Sequence, residues 1–450
     1  MATGSRSTRR FPNPDQPTVA IGKGARRVGT TPRARGGAIP LTGTLRMPLI
    51  VGAVHLVIVQ LAATLAYMYG NRNPTNSAPY QVEPAAVTGF WEQIVNPLRT
   101  WDGLWYRLVA VEGYEGSSAK AAFWPLFPWT MRVVGDTLSI PYEVAGYLIA
   151  NVSFVVALVL LYRLLILDFD QRTAACALWV VGLFPTAFFF SAVYTEAPFL
   201  LLLVGSLLAG RQQRWWLAGG IGLLAALTRS YGVFLCLPLG LLFVQQHGFD
   251  LRRWFPRALA IALPLGGPAI FSRHLADVQD NVWAWRDVQE QWNRYAARPW
   301  ETMRYAFSQS PNGEALRIKD GADWGWLREL AIEPRWALIS SNAWRKSLAD
   351  SDTLELACTL LFIGLTLIGL RRLPLYMTAY LVPGLIVPLF QPSSVHALMS
   401  MPRFGLTLFP LFVVIATLIE GRTIAKVLAV PSVILLVLLT IQFSQWYWVS

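Results

Sequence analysis

The chain has 450 residues, of which 54% are hydrophobic and only 14% charged, with a mean hydropathy of +0.42. This composition excludes an ordinary soluble globular protein and points to a chain built for a bilayer. The net charge of +12 does not argue for a nucleic-acid partner, because the basic residues concentrate in one terminal tail and a few short loops.

Residues 1–46 hold Arg6, Arg9, Arg10, Lys23, Arg26, Arg27, Arg33, Arg35 and Arg46 among Gly, Pro, Thr and Ser. With so few apolar residues this stretch is expected to be a disordered basic cytoplasmic tail, drawn to anionic lipid. The transmembrane domain is expected to occupy 47–450. Its first apolar run, from Pro48 to about Tyr69, is too long for the core of a cleaved signal peptide and reads as a signal anchor. Run length predicts an all-α polytopic membrane protein with about eleven spans, near 48–69, 144–167, 174–192, 197–210, 215–229, 231–246, 258–272, 353–370, 373–390, 403–419 and 427–446. The piece at 197–210 is short and reads as tilted or broken.

With the N-terminus inside, Arg172, Arg211, Arg214, Arg252, Arg253, Arg257, Arg371, Arg372, Arg422 and Lys426 all fall on the inner side, as the positive-inside rule asks. This holds only if 120–137 does not cross, and Pro125 and Pro128 with flanking charges favour a re-entrant or interfacial element there. Two large outside loops remain, 70–143 and 273–352. The second carries Trp283, Trp285, Trp292, Trp300, Trp324, Trp326, Trp336 and Trp344, which either stack on sugar rings or float helices at the headgroup level. Cys176, Cys236 and Cys358 lie in apolar runs as small core residues, and the histidines lack metal-ligand spacing.

Chemistry concentrates at the outer ends of the spans. Trp101-Asp102-Gly103-Leu104-Trp105-Tyr106 sets a carboxylate among aromatic residues just beyond the first span. An acid there is costly unless solvent, substrate or a partner compensates it, and neighbouring aromatic faces suit a sugar; the alternative is an interfacial aromatic belt with a solvated Asp. Tyr194-Thr195-Glu196, Thr228-Arg229-Ser230-Tyr231, His396 and Met401-Pro402-Arg403 share that face. Glu196 and Arg229 can equally be a structural pair or snorkelling side chains. Arginines bind phosphate in a bidentate way, and a carboxylate can take the proton of an attacking hydroxyl. No Gly-rich phosphate loop is present, so the activated donor is expected to be a lipid-phosphate sugar rather than a nucleotide sugar.

These residues resemble a family. The hexapeptide at 101–106, then Glu112-Gly113-Tyr114 and Phe123-Trp124-Pro125-Leu126-Phe127-Pro128, are similar to blocks of the PIG-V type (GPI mannosyltransferase 2-like) mannosyltransferases. Phe190-Ser191-Ala192-Val193-Tyr194-Thr195-Glu196, Leu227-Thr228-Arg229, Gln289-Glu290-Gln291-Trp292-Asn293-Arg294 and Met401-Pro402-Arg403-Phe404 resemble the later blocks, in family order. The resemblance covers about 48–446 and suggests a bacterial-type member. It implies a GT-C-like bundle that moves mannose from a polyprenyl-phosphate donor to an extracytoplasmic glycan, glycolipid or lipid acceptor, with inversion.

In that frame Asp102 is the general base, Arg229 or Arg403 holds the polyprenyl phosphate, and Glu196 orients an acceptor hydroxyl or an arginine. Trp105, Tyr106 and Trp292 stack on sugars, and Trp101, Gln289 and His396 complete the substrate-binding set. Ser230-Tyr231 departs from the Pro-containing turn of many relatives. A lone Asp is a poor divalent site, so no metal and no cofactor is expected. The rival readings are a lipid-linked sugar flippase, a non-catalytic assembly subunit, or the same fold using another polyprenyl-phosphate sugar. A flippase would place polar residues near mid-membrane, where only His55 is a candidate, and a lone His is more often packed.

Overall fold

A computed structural model describes residues 41–70, 87–248, 251–309 and 351–449, together with Met1. Of the expected tail only Met1 and 41–46 fall among them, and Trp324, Trp326, Trp336 and Trp344 lie outside. The described residues are helical, with one isolated bridge between Arg294 and Ser393.

Each expected apolar run is helical. α1 (Leu41–Tyr69) begins within the expected tail and runs on as a long helix. Five stretches are long and apolar enough to span a bilayer: Leu45–Tyr69, Tyr142–Leu165, Phe255–Gln279, Leu354–Arg372 and Thr423–Ser444. A sixth candidate is a pair of helices, Met401–Thr407 and Pro410–Ile419, bent by 82°. The others are shorter, so the membrane protein combines full-length rods with helices that need not cross alone.

The first segment expected to lie outside holds two short helices, α2 (Asp102–Glu112) and α3 (Leu126–Leu138). At 13 residues α3 is about 20 Å long, short of the ~30 Å hydrocarbon layer. Its prolines do not break it, because Pro125 is its N-cap and Pro128 lies in the first turn, where amides have no helical acceptor. Ser139, in the left-handed region at φ 54°, ends it.

α4 (Tyr142–Leu165) lies against α1, α3 and the helix Glu196–Arg211, with α5 (Gln171–Leu183) as a further neighbour, and α7 (Trp215–Thr228) packs on Glu196–Arg211. α6 (Glu196–Arg211) was expected to be tilted or broken; it runs unbroken for 16 residues, with Pro198 in its first turn. It is buried along nearly its whole length, so neighbouring helices rather than lipid solvate it. The rest of the bundle comprises α8 (Cys236–His247), α9 (Leu251–Ala262), α10 (Gly266–Gln279), α11 (Pro299–Gln309), α12 (Ser351–Arg372), α13 (Leu375–Ile386), α14 (Met401–Thr407), α15 (Pro410–Ile419) and α16 (Thr423–Ser444).

Two apolar clusters hold these helices. The larger fills the bundle around Phe154, Phe188, Phe190, Phe199 and Phe412. The smaller gathers Tyr106, Tyr114, Phe123, Trp124, Phe127, Phe271 and Val288, which ties the region of α2 and α3 to residues 271–288. His55, the deep histidine, is fully buried and bonded to the Gly182 carbonyl at 2.8 Å and the Ser191 hydroxyl at 3.0 Å, so it serves packing.

Candidate active site

The site starts from a backbone irregularity. Trp101 is the N-cap of α2 with φ 57° and ψ −118°, a conformation that costs a bulky residue roughly 1–3 kcal/mol. Its ring is held edge-on to Trp448 at 5.2 Å and against Trp446 at 5.8 Å, and the Leu104 amide donates to its carbonyl at 3.1 Å. The twist delivers Asp102 to the first turn of α2. There the Asp102 amide donates to the Tyr194 hydroxyl at 3.1 Å, and that hydroxyl donates to the Thr100 carbonyl at 3.2 Å.

Four charged side chains from distant parts of the sequence then meet. Arg403, on the short helix α14, donates from Nη1 to Asp102 Oδ2 and from Nε to Glu196 Oε1. Arg229, at the end of α7, donates from Nη1 to the same Glu196 oxygen, and to Thr195 Oγ1 at 3.3 Å. Glu196 is fully buried, and its Oε2 has no hydrogen-bond partner among the described residues. The Asp102 side chain is 22% exposed, and its Oδ1 has no side-chain partner among the described residues. One oxygen is anchored; the other is open.

The aromatic shell keeps this geometry. The Arg403 guanidinium lies 4.5 Å from the Tyr194 ring centroid and 5.6 Å from that of Phe189. Tyr106 packs edge-on to Phe123 and Phe127 and shares a 3.2 Å hydrogen bond with Thr195 Oγ1. Burial pushes its phenol up to about 12, with the Arg403 charge opposing, so it stays a neutral hydroxyl at physiological pH. Gly405 lets α14 approach α12, since a Cβ there would stand 2.1 Å from the Phe362 ring.

Of the sequence candidates, Asp102, Glu196, Arg229 and Arg403 form one network, and Tyr106 and Trp101 border it. Trp105 and Trp292 form a neighbouring aromatic wall: Trp105 stacks on Phe123 at 5.5 Å and meets Trp292 edge-on at 5.8 Å. Both indole N–H groups are buried without a partner among the described residues. Gln289 turns back to its own segment, donating to the Trp285 carbonyl at 3.4 Å. His396 pairs instead with Asp352 at 2.7 Å and stacks on Trp448 at 6.1 Å. Two participants were absent from the candidate set. Tyr194 is one; the sequence named it within the Tyr194-Thr195-Glu196 motif without giving it a role. The other is Arg294, which ends the block at 289–294 and borders the network through Phe404, whose ring centroid lies 5.8 Å from its guanidinium and 5.4 Å from that of Arg229. Among the described residues no group of three His, Cys, Asp or Glu side chains converges to hold a metal ion.

A family model described as Mannosyltransferase (PIG-V) matches residues 45–249. Over that region the chain matches the PIG-V family. The PIG-V match takes in Asp102, Glu196 and Arg229 and ends well before Arg403. GPI mannosyltransferase 2 from two Cryptococcus neoformans var. neoformans serotype D strains, JEC21 / ATCC MYA-565 and B-3501A, is 30% identical. The alignment covers 34% of this chain and 39% of each fungal protein, so the chain spans well under half of the curated relatives it matches. Among solved structures, the Archaeoglobus fulgidus oligosaccharyltransferase in its apo form is similar, with TM-score 0.42 and 12% identity over 89% of this chain and 56% of that one. ArnT from Cupriavidus metallidurans, solved bound to undecaprenyl phosphate, gives TM-score 0.38 and 14% identity over 82% and 77%.

Proposed function

We propose that this membrane protein is a mannosyltransferase that moves mannose from a polyprenyl-phosphate donor to an extracytoplasmic glycan, glycolipid or lipid acceptor, with inversion at the anomeric carbon. The observation that carries this reading is the Asp102 carboxylate, anchored through one oxygen by Arg403 and open at the other. The open oxygen takes the proton of the acceptor hydroxyl as that oxygen bonds to the anomeric carbon. The bond from the anomeric carbon to the phosphate oxygen breaks at the same time, and polyprenyl phosphate leaves with the electron pair. Arg403 holds the base in one orientation, which is the precondition for such a step. The buried, unmet indole N–H groups of Trp105 and Trp292 offer donors and faces to a sugar. The PIG-V match and the name of the fungal relatives supply the sugar, mannose.

The test is transfer of label in membranes containing the protein or its Asp102→Asn variant. Labelled polyprenyl-phosphate mannose and labelled GDP-mannose are supplied separately, with synthesis of the lipid donor blocked. Transfer from the lipid donor alone, reduced roughly 10²–10⁴-fold in the variant, is expected. Undiminished transfer would keep the enzyme class and remove Asp102 as base. Transfer from GDP-mannose would remove the lipid donor.

A further inference from the structure

The arginines expected to hold phosphate are already engaged. Arg403 spans Asp102 and Glu196, and Arg229 lies on Glu196, so these two guanidiniums and two carboxylates cancel. A leaving phosphate adds negative charge beside them, and nothing in this balanced set is left to meet it.

Arg294 breaks the balance. It sits in the second outer segment on a short stretch pinned to the chain before α14. The Ser394 amide donates to the Asn293 carbonyl at 2.8 Å, and the Tyr295 amide donates to the Pro392 carbonyl at 3.1 Å. Its guanidinium donates to two carbonyls, Gln391 at 3.0 Å and Met399 at 3.3 Å, and to no carboxylate among the described residues. A guanidinium has five N–H donors, so further donors remain. Phe404 links it to the site: that ring has the Arg229 guanidinium 5.4 Å from its centroid and the Arg294 guanidinium at 5.8 Å, and it follows Arg403 directly in the chain. Glu355 is within electrostatic reach of Arg294, but it accepts the Ser400 amide at 3.1 Å instead of pairing with the cation. Burial pulls the Arg294 guanidinium down from its ordinary value, with Tyr231, Glu355 and Asp102 opposing, and a bound anion would relieve that cost.

We propose that Arg294 is the phosphate-binding residue of the lipid-linked donor, held by backbone carbonyls beside the neutral Asp102–Arg403–Glu196–Arg229 network so that its charge is reserved for the leaving group. This rests on the lipid-phosphate reading of the donor. It divides labour between cations: Arg403 and Arg229 serve the carboxylates, and Arg294 serves the substrate.

The experiment measures binding to the full-length protein in detergent of three probes: polyprenyl phosphate, the polyprenol of equal length, and phosphatidylglycerol. Wild type is expected to prefer polyprenyl phosphate over polyprenol by about ten- to a hundredfold, the range of one charged hydrogen-bonding contact. Arg294→Gln should erase most of that preference and leave polyprenol affinity unchanged, whereas Arg298→Gln, an exposed cation over Trp300, should leave both unchanged. Arg294→Met, which fills the same space against Phe404, provides a second neutral variant if the Gln form does not fold. A full phosphate preference in a folded neutral variant overturns the role of Arg294 while leaving the lipid-phosphate donor intact. A wild type without phosphate preference overturns both, and phosphatidylglycerol binding as tightly as polyprenyl phosphate overturns the assignment to the carrier.

Discussion

The two ends of the bundle both carry ion pairs, built to different rules. At the site end, Glu196 is fully buried under two guanidiniums whose side chains are only 9% and 11% exposed, and Arg403 reaches on to Asp102. At the other end, Asp168 joins the end of α4 to the end of α6 by pairing with Arg211 at 2.8 Å, with side chains 14% and 24% exposed, and takes the Tyr376 hydroxyl at 2.8 Å. The second arrangement ties helix ends together cheaply, in partial contact with solvent. The first takes several charges out of water, which costs several kcal/mol per ion unless partners repay it. Neutral packing would be the simpler way to stabilise that end, so its network points to chemistry rather than to stability.

The contrast can be broken by substitution. Glu196→Gln leaves two buried guanidiniums without their shared carboxylate and is expected to cost about 3–5 kcal/mol. Thermal unfolding in detergent reads this directly, and a loss no larger than that from a cut at the opposite end would remove the distinction. A middle-sized effect is expected at Asp170, the N-cap of α5, whose carboxylate accepts from the Arg172 amide at 2.8 Å and the Thr173 amide at 3.0 Å. Asp170→Ala should cost about 1 kcal/mol, with no change in transfer.

The same cap sharpens the comparison through pH. Hydrogen bonds led by the Thr173 amide hold the Asp170 carboxyl below its ordinary value. Its contribution is therefore fully present above the ordinary carboxylate range and is lost as pH falls through the lowered value. Wild type and Asp170→Ala unfolding temperatures should converge in that acid window; a gap independent of pH would show that the cap acts without its charge. The smallest effect belongs to Asp168→Asn, which keeps an acceptor for Tyr376 and loses only a partly exposed pair, at about 1 kcal/mol or less. Its transfer rate should match wild type.

Much of this was legible in one dimension. Apolar run length located the helices at the eleven expected runs, because a chain in hydrocarbon must satisfy its backbone internally and helices do so locally; α2, α3 and α11 lie outside those runs. Asp102, Glu196, Arg229 and Arg403 stood out as ionisable residues at span ends, where charge is expensive. Gln289 and His396 stood out for weaker reasons, and their partners are Trp285 and Asp352 instead. Tyr194 was visible within its motif but had no role assigned, because a tyrosine near a membrane surface carries no chemical signal of its own.

Composition, run length and charge placement thus determined by themselves that this is a helical membrane protein with its expensive charges at span ends, since those properties follow from local transfer free energies. Which charges neutralise one another was decided only by the tertiary structure. Arg403 lies 301 positions from Asp102 and 207 from Glu196, and ion pairing depends on distance in space, which no local pattern encodes. The turn at Trp101 is of the same kind: a conformation its own sequence disfavours, held in place by the rings of Trp446 and Trp448 at the far end of the chain.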